Sequence, residues 1–169
     1  MLFSTKYFLI LFLIFSIIGC SKKNMEVSIN QTENTSPEIQ YIEAKNFLDS
    51  GQYDEALFAF QKIDKRYPLS NWALRSKIMN IFILYLKMDY ENASIDIGRF
   101  INKYPDYKDI DYVYYLKALI AYEQIKNPSL DISYTTNSLF YFEELIRRFP
   151  DSDYAKDAKR KIILLNTIL

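Results

Sequence analysis

A residue pattern that recurs every 37 residues constrains the fold of this chain more than any other feature. Six positions of one unit recur in the next, where aromatic, small and aliphatic residues hold the same places. The pairs are Tyr53 and Tyr90, Ala56 and Ala93, Phe60 and Ile97, Ile63 and Phe100, Tyr67 and Tyr104, and Pro68 and Pro105. A unit of this length cannot bury its apolar face alone, so the period predicts a stack of like units.

Each unit is predicted to contain two helices, and the arrangement resembles a tetratricopeptide repeat. Ala44 lies midway along the first helix, the turn signal Asp49-Ser50-Gly51 ends it, and Pro68 ends the second. Apolar residues stripe the second helix at helical spacing, namely Tyr53, Ala56, Leu57, Phe60 and Ile63. The same reasoning predicts helices at 38–49, 53–66, 71–87, 90–103, 109–126, 136–149 and 152–167. The predicted fold is an all-α solenoid of about seven antiparallel helices, or three and a half repeats.

The third unit departs from the period. Pro105 and Pro150 are 45 residues apart, whereas Ala118 keeps the register of Ala44, so we expect an inserted loop over Asn127–Thr135. The predicted core residues are Ala44, Phe47, Ala56, Phe60, Ile81, Ala93, Ile97, Ala118 and Phe142. The last helix reads Ile162-Ile163-Leu164-Leu165, an apolar run that a terminal repeat normally lacks. We therefore expect either a partner over this helix or a chain that stops short of a further one.

Composition restricts the chemistry that the chain can perform. It contains no His and one Cys, which excludes an internal disulfide, a structural zinc cluster and every His-based triad. Lys plus Arg equals Asp plus Glu at 21 each, so net charge gives no indication of nucleic-acid binding. We expect a protein without metal, cofactor or catalytic residues.

The amino terminus has the organisation of a lipoprotein signal peptide. Lys6 precedes an almost wholly apolar run over Tyr7–Ile18, which is shorter than the roughly 20 residues that span a bilayer. The run ends in Ile17-Ile18-Gly19-Cys20, which resembles the lipobox of bacterial lipoproteins. That resemblance implies cleavage after residue 19 and lipidation of Cys20, whose acyl chains would hold the protein permanently at a membrane.

The next residues predict a tether and a compartment. Residues 20–37 are polar, unpatterned and end at a proline, as expected of a flexible connection to a repeat domain over 38–169. Ser21 follows the cysteine, where many lipoproteins retained in the inner membrane carry Asp. We therefore expect the outer membrane, with the protein on its periplasmic face.

In repeats of this class the first helix of each unit lines the concave surface. Mapping that face by period gives a candidate peptide-binding groove of aromatic residues with scattered cations. Its members are Tyr41, Lys45, Arg75, Phe82, Tyr85, Tyr112, Tyr115 and Tyr122. Several of these side chains could instead pack between repeats, and the sequence leaves both uses open.

Together, the lipobox, tether and repeats resemble the BamD family of outer-membrane β-barrel assembly lipoproteins. The matching stretches are Arg66-Tyr67-Pro68 with Ser70 to Ala73, Ile110 to Leu116, and Phe149 to Ala155. The resemblance implies a periplasmic adaptor that binds unfolded outer-membrane proteins through their aromatic-ended C-terminal peptides. It also implies contact with a BamA-like barrel subunit and accessory lipoproteins. Relatives have about five repeats, so we expect a C-terminally short member.

Other functions stay open at this point. A different periplasmic scaffold of the same repeat class could serve cell division or the assembly of secretins or pili. An accessory domain of a peptidoglycan-acting enzyme is disfavoured, because no further sequence is present to form the enzyme. A truncated gene copy is a further alternative.

Overall fold

A computed structural model describes residues 35–125 and 132–168, which form one compact unit. The predicted signal peptide, Cys20 and the tether up to Asn34 lie outside the described residues. So do residues 126–131, which hold most of the predicted inserted loop.

Seven helices account for most of the described residues. They are α1 (Pro37–Asp49), α2 (Tyr53–Arg66), α3 (Asn71–Leu86), α4 (Tyr90–Lys103), α5 (Ile110–Glu123), α6 (Ile132–Arg148) and α7 (Asp153–Ile168). Each helix packs on the next as an antiparallel pair, and α1, α3, α5 and α7 also contact one another in that order. This layer of odd-numbered helices, with the even-numbered helices on its other side, confirms the predicted all-α, tetratricopeptide-like stack.

Local sequence signals explain where the helices begin and end. The hydroxyls of Ser36 and Ser70 accept hydrogen bonds from the backbone N–H groups of Ile39 and Ala73, at 3.4 and 3.1 Å, and so cap α1 and α3. Helices α2 and α4 stop at Arg66 and Lys103, because the next residue precedes a proline in each case. None of the helices within the described ranges combines the length and apolar character needed to cross a bilayer.

Several helix ends differ from the predicted boundaries; for example, the helix predicted over 109–126 is α5, Ile110–Glu123. Pro37, predicted as the last residue of the tether, is the first residue of α1. Helix α6 begins at Ile132, so the last four residues of the predicted loop are helical. Serine and threonine favour helices weakly, but Thr135 and Ser138 are fully buried here. Tertiary packing therefore extends this helix beyond what local preference predicts.

The alanines of the repeat pattern let the paired helices approach closely. Ala44, Ala56, Ala93 and Ala118 have no exposed surface. Of the predicted core residues all are buried except Phe47, which is half-buried. In α7, Leu165 is buried, whereas Ile163 and Leu164 are 65% and 49% exposed, so the outer side of the last helix is apolar, as the sequence predicts.

The turns after α1 and α3 share one backbone geometry. Gly51 and Met88 both have a positive φ, of 74° and 59°. In each turn the following residue donates a hydrogen bond to a carbonyl five residues back, Gln52 to Phe47 and Asp89 to Leu84, both at 2.9 Å. These are Schellman motifs, which normally place glycine at this position. The second repeat thus carries a side chain where backbone geometry favours none.

We expect Met88→Gly to raise the free energy of unfolding by about 1 kcal/mol, because it relieves the left-handed strain and Met88 is 75% exposed. Urea denaturation measures the change. Gly51→Ala is the matched control. A Cβ there meets nothing within 4 Å, so its expected loss of similar size reports backbone strain alone. A destabilising Met88→Gly would contradict this interpretation.

Candidate functional site

The odd-numbered helices bring the candidate groove residues onto one layer. Tyr41 and Lys45 lie on α1, Arg75, Phe82 and Tyr85 on α3, and Tyr112, Tyr115 and Tyr122 on α5. All are half-buried except Lys45, which is exposed. Half-burial means that these side chains pack between repeats and also keep part of their surface in water.

The first cluster joins α1 to α3. The Tyr41 ring lies 5.1 Å from the rings of both Phe60 and Trp72, and the Arg75 guanidinium lies 4.9 Å from the centroid of Trp72. These distances are within the range of aromatic and cation–π contacts. Lys45 takes no part, because its ammonium pairs with Asp49 at 2.7 Å.

The second cluster joins α3 to α5. Phe82 stacks on Tyr85 and also contacts Tyr112, with both ring centroids at 6.3 Å. The Tyr85 hydroxyl donates a hydrogen bond of 3.3 Å to Glu123. Burial, with the nearby negative charge of Glu123 second, raises the pKa of Tyr85 to about 12.

The third cluster joins α5 to α7. The Tyr154 ring lies 5.0 Å from Tyr112 and 5.1 Å from Tyr115. The Tyr115 hydroxyl donates a hydrogen bond of 2.5 Å to Asp157, which holds the pKa of that carboxyl below its usual value. Burial raises the pKa of Tyr112 and Tyr115 well above the ordinary value of 10.0.

Tyr122 ends the series at the last turn of α5. Its ring meets Phe142 at 6.2 Å, and the Lys161 ammonium lies 4.7 Å from its centroid. The half-buried aromatic residues of the three clusters form, with Tyr122, a surface shared by α1, α3, α5 and α7, called here the aromatic surface. Arg75 and Lys161 are cations set directly on its rings.

Sequence reasoning missed Trp72, Tyr154, Asp157 and Lys161 as members of this surface. The signal for two of them was present, because Trp72 and Tyr154 each stand four residues after a proline that ends a helix. The structure shows them in matching contacts, Trp72 with Tyr41 and Tyr154 with Tyr115, both at 5.1 Å. The repeat thus reproduces an inter-repeat aromatic pair two units further on.

The aromatic surface offers flat ring faces and hydroxyls, and its described residues form no catalytic arrangement. Across residues 35–125 and 132–168, no three His, Cys, Asp or Glu side chains are placed to hold a metal ion. The carboxylates near the rings, Glu123 and Asp157, accept hydrogen bonds from tyrosine hydroxyls. Flat rings with hydroxyls and nearby cations instead suit extended peptides with aromatic side chains.

The family model and the named relatives that this chain matches belong to one family. Residues 33–169 match the model of a family, YfiO, described as outer membrane lipoprotein. The outer membrane protein assembly factor BamD of Caulobacter vibrioides is 32% identical over 151 residues, covering 89% of this chain and 49% of the relative. The protein of the same name from Rickettsia prowazekii is 37% identical over 126 residues, covering 75% of this chain and 50% of the relative.

A more distant relative carries the same name. The BamD assembly factor of Vibrio cholerae is 27% identical over 163 residues, covering 90% of this chain and 66% of the relative. The chain spans about half the length of the first two relatives. The family consists of non-catalytic assembly factors, as the sequence predicts for this chain. The sequence repeats and the helical stack of this chain, together with these matches, place the chain in the BamD/YfiO family of outer membrane lipoproteins.

Proposed function

We propose that this chain is a lipid-anchored adaptor in the assembly of outer-membrane β-barrel proteins, working at the periplasmic face of the outer membrane. Family membership supports the general role, because the relatives above carry the name of outer membrane protein assembly factor. The observation that carries the specific role is the aromatic surface shared by four odd-numbered helices.

In this proposal the aromatic surface binds the aromatic-ended C-terminal peptides of unfolded outer-membrane proteins. Tyrosine provides a large flat contact and a hydroxyl at low entropic cost. A peptide that ends in an aromatic residue also presents a carboxylate, for which Arg75 and Lys161 are the nearby cations. Further partners are a BamA-like barrel subunit and accessory lipoproteins. No nucleic acid and no cofactor take part.

The proposal places residues 1–19 in a signal peptide, lipid on Cys20, and a tether before α1. Cys20→Ser, placed behind a signal peptide that is cleaved without lipidation, is expected to move the protein from the high-salt-washed outer-membrane fraction to the soluble periplasmic fraction, because the remaining chain has no acyl group to insert. Fractionation followed by immunoblotting measures this shift. A Cys20→Ser protein that stays in the high-salt-washed outer membrane with its signal peptide removed would contradict the anchor at this residue.

The assembly role is tested in cells. Depletion should lower the amount of outer-membrane β-barrel proteins, and purification of the lipidated chain should recover the barrel-forming assembly subunit. Normal barrel levels without that subunit would refute the proposal. Defects in septation or pili with intact barrels would instead favour a scaffold of another envelope machine.

A further inference from the structure

The even-numbered helices each expose one large apolar side chain at the same repeat position. Phe58 on α2, Ile95 on α4 and Phe140 on α6 are 71%, 43% and 53% exposed. Each stands two residues before a core residue that is at most 1% exposed, namely Phe60, Ile97 and Phe142. Two residues correspond to roughly 200° around a helix, so this row faces away from the core.

Cations follow the apolar residues on the same helix faces, which also carry the exposed acids Glu55, Glu91 and Glu143. Lys62 and Lys65 come four and seven residues after Phe58, Arg99 comes four after Ile95, and Arg147 comes seven after Phe140. Such spacings share one face of a helix. Lys65, Arg99 and Arg147 are all exposed, and Arg99 also pairs with Asp96 at 3.1 Å. We call these three cations with Phe58, Ile95 and Phe140 the outer stripe.

Helix electrostatics explains only part of the stripe. Cations near a helix C-terminus complement its dipole, as acidic residues do in the first turns of α2 and α4. That effect does not require three exposed apolar side chains at one repeat position. Apolar residues beside cations on one exposed face are typical of surfaces that lie in a membrane interface.

The chain enters the repeats at the cationic end of α2. The Thr35 carbonyl accepts hydrogen bonds from the Tyr67 hydroxyl at 3.0 Å and from the Gln40 amide at 2.9 Å. Tyr67 is the C-terminal cap of α2, two residues after Lys65. If Cys20 carries lipid, as the proposed function holds, only 14 residues separate the anchor from Thr35, which limits their distance to at most about 50 Å. The anchor would then keep the repeats within reach of the bilayer.

We propose that the outer stripe is a second membrane contact, which lies against the anionic phospholipids of the membrane that holds the anchor. The three apolar side chains enter the headgroup region, and Lys65, Arg99 and Arg147 pair with lipid phosphates. The aromatic surface belongs to the other helix layer, so it stays open to peptides. Because the charge contacts are exposed, binding weakens as salt rises.

Vesicle flotation tests this contact without the acyl chains. The protein is the chain from residue 20 onward with Cys20→Ser, and the vesicles contain phosphatidylethanolamine and phosphatidylglycerol. It should float with these vesicles and not with phosphatidylcholine alone. The triple variants Phe58→Gln/Ile95→Gln/Phe140→Gln and Lys65→Gln/Arg99→Gln/Arg147→Gln should each bind at least about tenfold more weakly.

A matched control removes exposed apolar residues from the odd-numbered helices. Ile39, Ile42 and Ile163 are 47%, 52% and 65% exposed, and their triple Gln variant should float as the parent does. Circular dichroism checks that all variants fold.

Failure of the parent to float, or equal flotation of the stripe variants, overturns the proposal. So does stripe-dependent binding to an assembly protein without vesicle binding. If the parent protein does not bind the peptide at the aromatic surface, the proposed function is refuted, and the flotation result is unaffected.

Discussion

Phe142→Ala is expected to lower the free energy of unfolding by roughly 3–5 kcal/mol. Phe142 has no exposed surface and contacts the rings of both Tyr115 and Tyr122, so its loss leaves a cavity between α5 and α6. Domains of ordinary stability have about 5–15 kcal/mol in total, so the variant would lose a large fraction of it. Urea denaturation, followed by circular dichroism, measures the change.

Phe140→Ala is the matched control on the same helix. Phe140 is 53% exposed, so we expect a change within about 0.5 kcal/mol. Equal losses for the two variants would contradict the placement of α6, because they would mean that the wrong face of this helix is buried.

Alkaline pH is expected to destabilise the fold at pH values below those that deprotonate arginine. Burial is the largest cause of a raised pKa at Tyr85, Tyr112, Tyr115 and Tyr154. A folded-state pKa above the unfolded value of 10.0 means that the unfolded chain loses these protons first. The contribution of these tyrosines to the free energy of unfolding is therefore fully present below pH 10 and is lost as pH rises above it. Each such tyrosine contributes at most about 1.4 kcal/mol per pH unit, less where water reaches the ring.

Tyrosinate absorbance and circular dichroism should accordingly change together in one steep transition. Tyr112→Phe should move that transition to higher pH, because phenylalanine keeps the ring contacts and has no proton to lose. Tyr134→Phe is the control, since this ring is 40% exposed on α6. Gradual ionisation with unchanged helicity would contradict the burial of these rings.

The period and its prolines were sufficient to predict the helical stack. Small residues at Ala44, Ala56, Ala93 and Ala118 recur because two helices must approach closely there, and this requirement is visible in any copy of the repeat. The start of α6 was not predictable in the same way. Its first turn is helical because Thr135 and Ser138 are buried, and burial by a neighbouring helix leaves no local signature.

The sequence predicted which helix face carries the candidate site, but it did not predict the contacts that its residues make. The period assigned Tyr112 and Tyr115 to that face, but not their partner Tyr154 on α7. The hydrogen bond from Tyr115 to Asp157 joins residues 42 positions apart, and no repeat spacing encodes it. These contacts mean that Tyr112 and Tyr115 also hold α5 to α7, so alanine at these positions would disturb the fold.

Tyr85 and Tyr122 test binding with a smaller loss of packing, because neither makes a ring contact closer than 6 Å. Tyr85 contacts neighbouring rings at 6.2 and 6.3 Å, and Tyr122 stands at the last turn of α5, where Lys161 lies over its ring. Removing both rings should weaken peptide binding while leaving the cluster around Tyr154 intact. The control is Tyr134→Ala, which removes a tyrosine ring from an even-numbered helix.

The most direct measurement is the affinity of the mature chain for a peptide from the C-terminus of an outer-membrane β-barrel protein. We expect the Tyr85→Ala/Tyr122→Ala variant to bind about tenfold or more weakly than the parent, a loss of about 1.4 kcal/mol or more. Tyr134→Ala and a peptide without its terminal aromatic residue serve as references. The reference variant should bind as the parent does, and the shortened peptide should bind poorly to all three proteins. Unchanged affinity in a folded double variant would contradict peptide recognition by the aromatic surface.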